Sequence, residues 1–187
     1  MRLVLLLVSA LSIMAAPAVN RAALMTAVAA DDADGVRIAL IANPQALNSQ
    51  DEATGRTALM SAALGGMASA AHALVAAGAD WTVAEKDGYT PLHGAGFQGR
   101  ANVVKVLMEA AVPHEAHSDG FSPIHRACWG TTDRHAQAVK AFIDHGVSVD
   151  LLTAHGVSPF QLAMKSGNDA TIAVIKEAHR AALHADL

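Results

Sequence analysis

Four glycines, Gly55, Gly88, Gly120 and Gly156, stand 33, 32 and 36 residues apart, and each opens a segment of the same design. A period of this length limits the chain to a stack of short supersecondary units, because one such unit cannot bury its apolar face alone. The segments are Gly55-Arg56-Thr57-Ala58-Leu59-Met60, Gly88-Tyr89-Thr90-Pro91-Leu92-His93, Gly120-Phe121-Ser122-Pro123-Ile124-His125 and Gly156-Val157-Ser158-Pro159-Phe160-Gln161. Hydrophobic residues make up 52% of the chain, enough for a continuous core and too many for a disordered polymer.

Each unit follows one physical grammar. A glycine turn leads to Thr or Ser, suited to capping a helix N-terminus, and in three units to Pro at the first helical position. A short apolar helix is then broken at Gly66, Gly99, Gly130 or Gly167. The second helix carries its apolar residues at helical spacing: Leu74-Val75, Val103-Val104-Leu107-Met108, Val139-Phe142-Ile143 and Ile172-Ile175. A degenerate unit precedes these, from about Asn20 to Asn43, with the helices Ala22–Met25 and Val36–Leu40 separated by Asp31, Asp32 and Asp34.

Thr90-Pro91-Leu92-His93 matches the helix start of the ankyrin repeat in full. Ser122-Pro123-Ile124-His125 and Ser158-Pro159-Phe160-Gln161 match it with conservative changes, and Gly78-Ala79-Asp80 and Gly146-Val147-Ser148 resemble the family's exit from its second helix. The resemblance implies an all-α ankyrin-repeat solenoid of about five helix-turn-helix units over residues 19–187, with the first and last units as caps. It also implies that His93 and His125 are hydrogen-bonding struts between adjacent turns. Two departures stand out. Ala111 replaces the usual exit glycine, and a left-handed backbone would cost alanine roughly 1 kcal/mol, so this exit is expected to turn differently. The 36-residue spacing places about three extra residues at 131–135, where a surface loop is expected.

The amino terminus reads as a separate object. Met1-Arg2, an apolar run from Leu3 to Met14 and Ala16-Pro17-Ala18 have the form of a secretory signal peptide over residues 1–18. The run is shorter than the roughly 20 residues that span a bilayer, so no stable membrane insertion is expected. The mature chain is expected to be secreted or periplasmic. The alternative is an apolar helix packed on the first unit of a cytoplasmic protein.

Composition removes several classes of function. Thirteen basic residues against seventeen acidic ones leave a net charge of −4, without the basic excess that nucleic-acid binding uses. A single cysteine excludes an internal disulfide and a four-thiolate metal site. Gly94-Ala95-Gly96-Phe97-Gln98-Gly99 spells a dinucleotide fingerprint, but its glycines fall inside a repeat helix instead of between a strand and a helix. Gly94 and Gly96 are expected to make room for a neighbour's bulky side chain. Ten histidines invite a metal site, with His125 and Cys128 at i, i+3 and with His114 and His117 one unit earlier. Strut and core positions account for His93, His125 and Cys128 more simply. No cofactor, metal or catalytic residue is assigned.

The functional signal lies in the aromatics, seven in all. Tyr89 and Phe121 directly follow the turn glycine, at the site held by Arg56 and Val157 elsewhere. Phe97 and Trp129 end the first helix, at the site held by Leu64 and Lys165. In ankyrin-like stacks these sites face the concave groove. Tyr89, Phe97, Phe121 and Trp129, flanked by Arg56, Arg126 and Lys165, are therefore expected to form a strip that binds a protein partner, on a chain acting as a monomer. The bland alternative is that Phe97 and Trp129 close the layer between helices and are mostly buried. Two other functions remain open: an accessory that stabilises a partner enzyme in the same compartment, and a histidine-based metal-handling protein or enzyme.

Overall fold

The computed structural model describes residues 21–185. The leader read at residues 1–18 lies outside them. Among the described residues the chain forms ten α-helices and a 3-10 turn, with no strand. The helices are α1 (21–29), α2 (Ala33–Ala42), α3 (Ala58–Gly65), α4 (Ala68–Ala76), α5 (Pro91–Phe97), α6 (Ala101–Glu109), α7 (Pro123–Cys128), α8 (Asp133–Asp144), α9 (Pro159–Ser166) and α10 (Asp169–Ala185). None is long and apolar enough to cross a membrane. They form five consecutive pairs. First helices stack in the order α3, α5, α7, α9 and second helices in the order α2, α4, α6, α8, α10, so each pair touches only its neighbours.

Local chemistry starts each helix where the sequence marks it. Thr57 accepts the Met60 N–H at 3.1 Å, and Ser158 and Gln161 form a reciprocal capping box at the head of α9. Asp32 caps α2 through the Gly35 N–H. The turn glycines Gly55, Gly88, Gly120 and Gly156 all have φ between 72° and 86°, which only glycine adopts without strain. Leu59, Leu74, Leu92, Leu107, Ile124, Val139, Phe142 and Ile175 are buried and run through the stack as one core. In the first pair, Asp31 accepts from the Ala70 N–H at 2.8 Å and ties this cap to α4.

Two local expectations are corrected. Ala111 does adopt the left-handed conformation, with φ 55°, at the place Gly78 and Gly146 hold in neighbouring pairs. The reason lies in the residue that follows. Val112 is buried and its N–H reaches back to the Leu107 carbonyl at 3.0 Å, the closing bond that Ala79 makes to Leu74 and Val147 to Phe142. Burial of that side chain holds alanine in a conformation it disfavours. The three extra residues near 131–135 are likewise more than a surface loop. Asp133, Arg134 and His135 lengthen α8 by a turn at its N-terminus, and His135 is buried against the preceding pair.

Candidate functional site

Arg126 organises the groove side of the stack. It lies on α7 and is only 7% exposed, so it is no free flanking cation, as the strip had it. Its guanidinium pairs with the Asp119 carboxylate, and Nη2 donates to the Tyr89 hydroxyl at 2.9 Å. The Tyr89 hydroxyl in turn donates to Asp119 at 3.1 Å. Three rings enclose the guanidinium, with its carbon 4.6 Å from the centre of Trp129, 4.8 Å from Tyr89 and 5.2 Å from Phe121. The Phe121 and Trp129 rings touch each other at 4.6 Å. The buried Nε of Arg126 has no hydrogen-bond partner among the described residues. Desolvation works against the Asp119 charge, yet the Phe121 N–H, the Tyr89 hydroxyl and Arg126 hold its carboxyl down at about 2.

Beside this cluster is a cavity of about 340 Å³. Arg56, Met60, Leu64, Glu85, Asp87, Tyr89, His93, Gly94, Phe97, Gln98 and Arg126 line it. The structure thus brings Arg56, Tyr89, Phe97 and Arg126 to one cavity and joins Phe121 and Trp129 to them through Arg126. Lys165 is exposed on α9 and belongs to neither group. Phe97 is 54% exposed and Trp129 is 37% exposed, so neither ring is buried between the helix layers. Tyr89 and Phe121 are half-buried.

The histidines are mostly structural. His125 accepts from the Ser122 hydroxyl at 2.7 Å and donates through Nε2 to the Leu151 carbonyl at 2.8 Å, the expected strut. His93 keeps the first bond, to Thr90 at 2.8 Å, while its buried Nε2 has no partner among the described residues. His135 is a third strut that the sequence reading missed, bonded to Thr132 at 2.7 Å and to the Phe97 carbonyl at 3.1 Å. Its signal was present as Thr132-Asp133-Arg134-His135, a hydroxyl three residues before a histidine. Burial, then the neighbouring His117, pushes His93 down to about 4; burial lowers His125 and His135 as well. The Cys128 thiol is buried and pushed up to about 12, far from thiolate chemistry. Among the described residues no three His, Cys, Asp or Glu side chains are grouped to hold a metal.

The G-x-G-x-x-G run has a packing role. A Cβ on Gly94 would sit 3.1 Å from Leu64 and 3.2 Å from the Met60 sulfur, as a bulky-neighbour role requires. On Gly96 it would collide with the Pro123 carbonyl oxygen, so this glycine admits a neighbouring main chain instead of a side chain. Asp119, Glu85 and Asp87 were not singled out from sequence. The available signal was an aspartate directly before the turn glycine in two successive units, Asp87-Gly88 and Asp119-Gly120.

Compared with known families, residues 24–116 match the model described as ankyrin repeats (3 copies). The match ends before Gly120, but α7 to α10 continue the same pairing and stacking without interruption.

Proposed function

Because the chain is an all-α ankyrin-repeat solenoid, a fold that generally serves protein–protein interaction, we propose that it is a non-catalytic module that binds a partner protein through its groove. The observation that carries this reading is the ring cluster around Arg126. Trp129 and Phe97 present apolar faces to solvent, while Tyr89, Phe121 and Trp129 are held in place from beneath by one buried guanidinium. Rings fixed before binding lose little side-chain freedom on contact, and aromatic residues dominate binding hot spots.

The test is photo-crosslinking from position 97, with position 41 on α2 as the control in the other helix layer. A partner captured from position 97 and not from position 41 supports the groove. Trp129→Ala should then weaken binding of that partner by at least about 2 kcal/mol while shifting stability by much less. Equal losses in binding and melting, or capture from position 41 alone, would refute the reading. Tyr89→Ala is a poorer probe, since it also removes a bond to Arg126.

The proposed setting is secreted or periplasmic, supported by the charged start, apolar run and Ala16-Pro17-Ala18 end of the leader. N-terminal sequencing of the native protein should begin near Val19. An intact Met1 would remove this part of the proposal.

A further inference from the structure

The groove contains one arrangement in two versions. In the pair α7–α8, Asp119 precedes the turn glycine, Phe121 follows it, Trp129 ends the first helix, and Arg126 fills the space among them. One repeat earlier the same positions are Asp87, Tyr89, Phe97 and Gly94. The carboxylate and both rings are kept, and only the arginine is missing. The space this leaves is the cavity of about 340 Å³, lined by all four of these residues. Glu85, at the position of His117, adds a second carboxylate to its wall.

Charge separates the two versions. Arg126 is matched by Asp119, whereas Glu85 and Asp87 make no ion pair among the described residues. The cations in the cavity wall are Arg56, which is exposed, and Arg126, which is already paired with Asp119, so Arg56 alone is left to balance the two carboxylates. The chain cannot easily fill the space from within, because any side chain at position 94 would press on Leu64 and Met60.

We infer that the cavity over Gly94 takes an arginine side chain of the protein partner, seated as Arg126 is seated one repeat further on. This rests on the groove being the partner surface. A planar guanidinium is the group that stacks on rings and pairs with a carboxylate at the same time, as Arg126 does here. An ammonium pairs with a carboxylate and can sit over one ring, but it has no flat face to stack between two.

The experiment titrates N-acetyl-arginine methylamide into the isotope-labelled mature chain and follows amide signals by NMR. The expected result is saturable shifts at Tyr89, Gly94 and Phe97, with the neutral citrulline analogue and the lysine analogue each binding at least about fivefold more weakly. Asp87→Asn, alone and with Glu85→Gln, should weaken the arginine probe by a similar factor, and Arg56→Gln should tighten it. Unchanged melting of each variant separates these effects from misfolding. Equal binding of arginine and citrulline, equal binding of arginine and lysine, indifference to Asp87→Asn, or shifts confined to other residues would each overturn the inference. Failure here with cross-linking from position 97 intact leaves the groove reading standing. A bound arginine probe without such cross-linking sinks the groove reading and, with it, the partner's arginine as the occupant.

Discussion

Replacing either member of the Arg126–Asp119 pair tests whether the buried guanidinium holds the ring cluster together. Arg126→Met removes the charge and keeps much of the bulk. It deletes the ion pair, the bond to Tyr89 and three ring contacts together. Breaking a fully buried pair costs about 3–5 kcal/mol because the remaining charge is stranded. Here the stranded Asp119 side chain is 35% exposed and water can reach it, so the cost falls below that range, to about 2–3 kcal/mol. Asp119→Asn strands the better-buried partner, whose side chain is 8% exposed, and should cost more, about 3–4 kcal/mol. The double variant should cost less than the two together, with a coupling of at least about 1 kcal/mol. Urea melts of the four proteins give these numbers, and tryptophan fluorescence in a Trp81→Phe background reports on Trp129 in each. Both single losses below about 1 kcal/mol, or coupling near zero, would mean that the rings are held by their own packing and that Arg126 merely fills space.

Leu92→Ala and Leu107→Ala remove fully buried side chains and should each cost about 2–5 kcal/mol in denaturant melts. Ala111→Gly should stabilise the chain by about 1 kcal/mol, since φ there is 55° and glycine adopts it without strain; a loss in the same melts would refute the strain argument. Acid should destabilise the stack before any carboxylate protonates. His93 falls from an ordinary 6.5 to about 4, so the unfolded chain takes up protons first as pH drops from about 6.5 toward 4, with His125 and His135 acting in the same direction. The unfolding free energy from urea melts should therefore fall between pH 7.5 and pH 5, by about 2 kcal/mol from His93 alone, and His93→Gln should flatten that slope. A further decline below about pH 4 is expected as Asp119, held near 2, takes up its proton in the unfolded chain before the folded one.

The stack was legible because its signals are local and repeated. A turn glycine and a capping hydroxyl, joined in three units by a proline, mark the starts of α3, α5, α7 and α9. The repeat register put Phe97 and Trp129 at equivalent positions but left open whether they were exposed or buried, and only the stacked units show both rings in contact with solvent. The fate of Arg126 was not legible either. Its partner Asp119 lies seven residues back across a turn, and its third ring, Tyr89, comes from the previous repeat, so burial arises only when the units are stacked. Ala111 misled for the opposite reason. Its own preference was read correctly, but the demand of Val112 for the core outweighed it. His135 was hidden because the three added residues disturbed the register in which a strut is sought.

A surface built from equivalent units offers an extended partner the same view at every step, so the partner could settle in any of several registers. This chain is not built that way: one equivalent position is Ser61, Gly94, Arg126 and Leu162 in successive units. Arg126 occupies its position from within, whereas Gly94 leaves the corresponding position open one repeat earlier. A partner displaced by one repeat toward the C-terminus would meet a guanidinium already seated in its box instead of a cavity. If the groove is the partner surface, the step from glycine to arginine would act as a registration mark along it.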